Sequence, residues 1–299
     1  MTYKKKKKLT KIIAFTLAAI SIIVPCLSVA SSIIITRRIN KVIDAAATKE
    51  RKLPIYCVDT KGKKQVAITF DAAWGSEDAD SIIATLDKYG VKATFFCVGD
   101  FIRKYPDLVK KLSDAGHDIA NHSNKHPHVN QMTKEAIKQD IKDANAEIKK
   151  VTGKDNLLYR PPYGEYNNTV IEAATESGMY TVQWDVDSID WKGYDAQTIV
   201  NKVVNHKHLG DGTIILLHNG AKHTAEALPQ LIEGLKQKGY EIVPISQLIY
   251  KDNFSIDHEG RQHPTSDSAV QGIAPAANSA PAATKAPLSL DAPSASPAA

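Results

Sequence analysis

The sequence predicts an α/β fold: a parallel sheet buried on both faces, which six or seven strand–helix units between about residues 54 and 250 can close into a barrel. Three observations carry this expectation. A helical stretch ends at a glycine and an apolar strand follows at once, five times over. Polar and charged motifs stand where those strands end, the place where catalytic groups collect on barrels and open α/β folds. On either side the composition changes, to an uncharged apolar run before and an Ala/Pro/Ser-rich stretch after.

A hairpin is expected to open the domain. Ile55-Tyr56-Cys57-Val58 and Val66-Ala67-Ile68-Thr69-Phe70 are β-rich runs separated by the turn signal Asp59-Thr60-Lys61-Gly62-Lys63. Beyond it Gly90 precedes Val91–Phe96, Gly116 precedes His117–Ala120, Gly178 leads into Met179–Trp184, Gly212 into Thr213–Leu217 and Gly239 into Tyr240–Val243. Glycine just past a helix supplies the left-handed turn that reverses the chain. The clearest helix is predicted over 134–150, with Thr133 as N-cap and Ile137, Ile141, Ala144 and Ile148 at helical spacing. No short-period repeat suggests a solenoid.

With 43% hydrophobic and 24% charged residues over 299 positions, the chain has the composition of a globular protein with a sizeable core. Its formal charge of +5 has a local origin. Six lysines lie among the first eleven residues, and without them the total is −1. That argues against nucleic acid as a partner and marks residues 1–11 as a basic cytoplasmic segment. Residues 12–35 carry no charged side chain. As a helix they would span roughly 36 Å at about 1.5 Å per residue, enough to cross a lipid bilayer. The heavier positive flank stays inside, which puts the bulk of the chain outside. Ser28 and Ala30 offer a signal peptidase a rival site, but the apolar run continues through Ile33-Ile34-Ile35 and favours an uncleaved, single-pass anchor. Pro25 before Cys26 is a poor fit to lipoprotein processing. Residues 36–53 read as a juxtamembrane stalk. Residues 251–299 have few large apolar side chains to offset their ordering entropy, and read as a disordered tail. The three cysteines show no metal spacing; with the domain outside the cytoplasm, a Cys57–Cys97 disulfide is conceivable.

The chemistry gathers around Asn121-His122-Ser123-Asn124-Lys125-His126-Pro127-His128. Two histidines four residues apart point the same way on a helical turn, and neutral imidazole is the commonest metal ligand. His128 leaves a different pairing open, and a loop of solvated histidines is the plain alternative. Thr69-Phe70-Asp71 lies upstream; Arg160-Pro161-Pro162-Tyr163, Asp187-Ser188-Ile189-Asp190-Trp191 and Leu216-Leu217-His218 lie downstream. In this order, from about Val66 to Ile249, the motifs resemble the polysaccharide deacetylase family, the NodB-homology or carbohydrate esterase family 4 domain.

That resemblance implies a distorted (β/α) barrel of about seven parallel strands. It implies a hydrolase of carbon–nitrogen bonds, removing N-acetyl groups from amino sugars in chitin-like or peptidoglycan chains with a divalent cation, zinc foremost, with cobalt or manganese as alternatives. The reaction needs a water deprotonated, the acetyl carbonyl polarised, the oxyanion held and the leaving amine protonated. By resemblance Asp71 is the general base, Arg160 its paired cation, and His122 and His126 the metal-binding histidines. Tyr163 supplies a backbone donor near the oxyanion, and Trp191 lines the acetyl pocket. His218 is the general acid, and Asp190 orients it and keeps it protonated. Asp187 is either structural or a support for Arg160. Together with the anchor, this describes a monomer attached to a bacterial membrane and acting on peptidoglycan outside the cytoplasm.

One departure matters. The family usually reads Thr-Phe-Asp-Asp-Gly, with the second aspartate completing the metal site, whereas this chain reads Thr69-Phe70-Asp71-Ala72-Ala73-Trp74-Gly75. Alanine cannot coordinate, so cation affinity should fall or the site should fill with extra water. Asp78 and Asp80 are expected to belong to the following helix. The Asp-x-x-Trp-Gly form resembles a subgroup of deacetylase-like proteins common in spore-forming bacteria. Two other functions stay in view. Ala72 favours a catalytically silent glycan-binding or sporulation scaffold, while the retained acid–base set speaks against one. A hydrolase of small cyclic amides fits the fold but not the anchor.

Overall fold

In the computed structural model, the folded unit that begins at Leu53 opens with a short strand, β1 (Cys57–Val58), and then β2 (Gln65–Ala72), whose side chains alternate between two layers. Val66, Ile68, Phe70 and Ala72 join the core that lies under the helices, whereas Ala67 joins a second core inside the barrel. The structure describes residues 36–38, a helical and exposed fragment, and 51–265. The expected anchor at 12–35, most of the stalk and everything beyond Thr265 lie outside the described residues. Among those described, no helix is long and apolar enough to cross a membrane.

The chain continues through α1 (Ala79–Tyr89), β3 (Thr94–Cys97), α2 (Gly99–Lys104), α3 (Pro106–Asp114), β4 (Asp118–Asn121), α4 (Lys134–Thr152) and β5 (Leu158–Tyr159). After these come α5 (Asn168–Glu176), β6 (Tyr180–Thr181), β7 (Val186–Asp187), α6 (Ala196–Val204), β8 (Ile214–His218), α7 (Thr224–Gln237), β9 (Glu241–Ile242), α8 (Ile245–Leu248), β10 (Phe254–Ile256) and β11 (Arg261–Pro264). The strands run β6-β5-β4-β3-β2-β8-β7, every pairing parallel, with β9 added on the start of β2. Among the described residues no ladder joins β6 to β7, so the barrel of seven parallel strands stays open between them. Helix α4 forms as its periodicity predicts: Thr133 Oγ1 accepts from the Ala136 amide at 3.2 Å, and Ile137, Ile141, Ala144 and Ile148 are buried.

Three expectations are corrected here. The opening hairpin does not form. β2 is central, flanked by β3 and β8, so β1 pairs instead with β11. The domain does not end at Tyr250 as expected. β10 and β11 pair with each other, β11 runs parallel to β1, and Gln262 is fully buried, its amide bonded to both backbone groups of Tyr250. Phe254 and Ile256 pack against the second core and Gln262 adds its buried hydrogen bonds; so few apolar side chains give no periodic pattern, which is why hydrophobic patterning missed the segment. Cys57 and Cys97 are both buried and unpaired, so the conceivable disulfide is absent. Gly212 shows how closely β1 sits. Its φ is +80°, and a Cβ there would stand 1.7 Å from the Val58 carbonyl oxygen.

Candidate active site

The site lies where β2, β4, β5 and β8 end. Parallel register does the first part of the work, because Asp71 and His218 are Cα partners on adjacent strands. The base and acid candidates, 147 positions apart in sequence, therefore stand side by side.

Asp71 is almost fully buried, and its Oδ1 accepts from Arg160 Nη1 at 2.7 Å. Arg160 is completely buried. Its Nη1 also donates to Thr69 Oγ1 at 2.9 Å, its Nη2 donates to the Gln183 carbonyl at 3.0 Å, and its guanidinium lies over Phe96, 4.0 Å from the ring centroid. Burial alone would raise the Asp71 carboxyl; the cationic surroundings, with Arg160 as the permanent charge, outweigh it and hold Asp71 below its ordinary value.

His218 is held the opposite way. Its Nδ1 lies 2.7 Å from Asp190 Oδ1, so the ring donates to the carboxylate, and its backbone amide donates to Asp190 Oδ2 at 2.8 Å. Thr224 Oγ1 adds a third hydrogen bond to Asp190 Oδ2 at 2.6 Å. Burial works to lower His218, but the bond to Asp190 overcomes it and raises the imidazole above its ordinary value. Asp190, fully buried, is lowered because those donors outweigh its desolvation. Asp187 closes a turn by accepting from the Ile189 amide at 2.8 Å, which supports the structural reading of that residue.

The two histidines meet by a route the sequence did not predict. Residues 122–128 form a loop, not a helical turn, with φ of 73° at Ser123 and 57° at His126. Asn121 Oδ1 receives the Ser123 amide at 2.7 Å, and Ser123 Oγ receives the His126 amide at 2.8 Å, so short polar side chains fix the left-handed backbone. His122 Nδ1 lies 2.8 Å from the Arg160 carbonyl oxygen, which places the proton on Nδ1 and leaves a lone pair on Nε2, 3.4 Å from Asp71 Oδ2. The His126 ring centroid is 5.0 Å from that of His122, and His126 Nδ1 is buried with no hydrogen-bond partner. Burial lowers both imidazoles, His126 to about 4, so both are neutral donors. Such a pair fits a divalent cation as a half-site. Where the resemblance expects a second aspartate to complete it stands Ala72, whose methyl is packed in the core. Among the described residues no group of three or more His, Cys, Asp or Glu side chains converges as a metal site.

Tyr163 takes φ of 60°, and its exposed ring contacts His126 at 4.4 Å and stacks on His128 at 4.4 Å. His128 is tied to Glu165, Nδ1 to Oε1 at 2.8 Å, rather than joining the His122 pair. Trp191 is exposed at the surface beside Asp190. Asp78 precedes α1 and accepts from the Gly220 amide at 2.8 Å, while Asp80 is on α1 and pairs with Lys111. Sequence reasoning missed Thr69 and Thr224. Thr69 could have been found, since it lies two residues before Asp71 and so on the same strand face; nothing in the sequence links Thr224 to Asp190. A separate cavity of about 260 Å³, lined by Asp118, Tyr180 and Ser246 among others, includes none of these site residues.

Comparison with known proteins agrees with this geometry. A sequence model of the family described as polysaccharide deacetylase matches residues 58–182. The uncharacterized protein YlxY of Bacillus subtilis is 35% identical over 196 residues, 66% of this chain and 60% of YlxY, so the chain spans less than two thirds of that relative. Peptidoglycan-N-acetylmuramic acid deacetylase PdaA, also of Bacillus subtilis, is 36% identical over 199 residues, covering 66% of this chain and 75% of PdaA. Among solved structures, wild-type BA3943 of Bacillus anthracis, a CE4 family pseudoenzyme, superposes with a TM-score of 0.63 at 30% identity, covering 70% of this chain and 72% of its own. A BA3943 mutant with restored enzymatic activity gives 0.62 at 33% identity, over 65% of this chain and 70% of the mutant. The relatives thus include both working deacetylases and a silent one. With the strand-end carboxylates, the paired histidines and the buried arginine in place, the chain belongs to the polysaccharide deacetylase family, carbohydrate esterase family 4.

Proposed function

We propose that the protein hydrolyses the N-acetyl group of amino sugars in peptidoglycan, releasing acetate and leaving a free amine. The observation that carries this reading is the pairing of Asp71 and His218 on adjacent strands, each hydrogen-bonded to its own buried partner of opposite charge type, Arg160 and Asp190. A base and an acid with pKa values pushed apart are what amide hydrolysis requires. Asp71 takes the proton of the attacking water as its oxygen bonds to the acetyl carbon. The backbone N–H of Tyr163 holds the oxyanion that forms, and His218 gives its proton to the sugar nitrogen as the carbon–nitrogen bond breaks. Arg160 keeps Asp71 ionised and aimed; Asp190 keeps His218 charged and aimed. A divalent cation on His122 and His126, zinc or else cobalt or manganese, supplies polarisation of the acetyl oxygen and acidification of the water when bound. Trp191 bounds the acetyl group at the mouth. The substrate class follows the relatives that are peptidoglycan deacetylases.

The test is acetate release from purified peptidoglycan, with and without chelator. Release that the chelator abolishes supports the whole reading. A second reading, a catalytically silent glycan-binding scaffold, is favoured by Ala72 and by the similarity to a pseudoenzyme. Absence of acetate release from any N-acetylated glycan, with binding retained, would establish it in place of the first. We further propose that residues 12–35 anchor the protein as a monomer in the cell membrane with the catalytic unit outside.

A further inference from the structure

Trp74 has no part in the reaction just described, yet the protein spends structure on presenting it. Its indole is 66% exposed, and it stands three residues after Asp71. The loop beneath it is clamped. Asn219 Nδ2 donates to the carbonyls of Gly75 at 2.8 Å and Trp74 at 3.4 Å, and the Gly220 amide donates to Asp78 Oδ1 at 2.8 Å. Gly220 takes φ of +73°, and a Cβ there would come within 3.3 Å of the Trp74 carbonyl oxygen. The loop that follows the base strand and the loop that follows the acid strand therefore hold each other. What they hold out is a bare aromatic face at the mouth of the site. The indole meets the His126 ring edge-on at a centroid distance of 5.0 Å, and the exposed ring of Tyr163 meets the same imidazole at 4.4 Å.

We propose that Trp74 is a sugar-binding platform, on which the apolar face of a pyranose ring of the N-acetylated glycan stacks while a neighbouring acetamido group reaches Asp71 and His218. The inference rests on the deacetylase reading for the identity of the ligand. Its physical basis is that a pyranose exposes C–H groups on one face, indole offers the largest aromatic face among side chains, and a ligand ring recovers the burial that an exposed tryptophan forgoes. A platform built beside the reacting groups, rather than around them, suits a polymer lying across an open surface.

The experiment measures binding separately from turnover. Wild type, Trp74→Ala and Trp74→Phe are titrated calorimetrically with an oligomer of β-1,4-linked N-acetylglucosamine, co-sedimented with purified peptidoglycan, and assayed for acetate release. Trp74→Ala is expected to weaken binding about tenfold, the scale of one aromatic stacking contact. It should raise KM by a similar factor with kcat little changed, as loss of uniform binding does, and Trp74→Phe should recover most of the affinity. Trp74→Ala binding both probes like wild type would overturn the inference, and acetate release would still stand as evidence for the reaction. If binding depends on Trp74 but no variant releases acetate, the platform stands and the deacetylase reading falls. A wild type that binds neither probe overturns the platform outright.

Discussion

Asp190 accepts three hydrogen bonds inside a fully buried pocket, and two of them come from His218. His218 is raised above its ordinary value, so its acid form extends to higher pH than that of a free imidazole and is lost as pH rises through the folded value. A general acid must be protonated, so activity should fall along that alkaline limb. Asp190→Asn removes the charge that raises His218, and the pH–rate profile of acetate release should show the limb displaced to lower pH; an unmoved limb would assign it to another group. Asp71→Asn should lower turnover by about 10²–10⁴, the worth of a positioned base. It also leaves the Arg160 guanidinium buried without its counter-charge, at a cost of about 3–5 kcal/mol that urea unfolding would register. Ala72→Asp has two expected effects. Zinc titrated into the variant should bind more tightly than to wild type, because a third ligand and a negative charge are added. Its melting temperature should drop, because the methyl it replaces is packed against apolar side chains. Asp71 and His218 could be singled out in the sequence because each stands where a near-continuous apolar run ends, Val66–Phe70 and Thr213–Leu217, while the roles given to them and to Arg160 and Asp190 come from the family resemblance. The supports were not legible: Thr224 is 34 positions from the carboxylate it braces, and only folding relates them.

Helices and strands were legible to the extent that their stabilisation is local or periodic. Helix α4 carries its own cap and its own stripe of isoleucines, so the reading of 134–150 differs from the observed Lys134–Thr152 only at the frayed end. The opening hairpin failed for the opposite reason. Ile55–Val58 has strand chemistry, but which edge it meets depends on β2 already being enclosed by two others. The histidine loop failed because its left-handed residues are set by side-chain hydrogen bonds that no hydrophobic period reports. The pair β10–β11 gives a direct test of where the unit ends. A chain stopped after Thr265 should unfold with the midpoint of the full-length protein. A chain stopped at Tyr250 removes Gln262, exposes β1 and should lose about 2–4 kcal/mol, read by denaturant titration. Equal stability of the two would show that the small sheet contributes nothing.

At the scale of the molecule, the reading of residues 12–35 predicts where the catalytic unit is found. Fractionation of cells should recover the intact chain with the membrane, and protease added outside the membrane should reach residues beyond 40. A mature chain that is wholly soluble, with its N-terminus near Ser31, would overturn the anchor in favour of a cleaved signal. The same topology that lines up the site also sets the order in which it can be built. Strand β2 is complete only when residues 214–218 pair with it, and Thr69 donates to the Ile215 carbonyl across 146 positions of chain. Until that distant segment is synthesised and brought back, one edge of an apolar strand stays unpaired, a template for other chains. Closing so long a loop is slow compared with forming the local helices around it. The assigned base thus reaches its final surroundings only after the segment bearing the assigned acid has been made, and a chain cut short before residue 214 would meet its neighbours with an open, aggregation-prone edge.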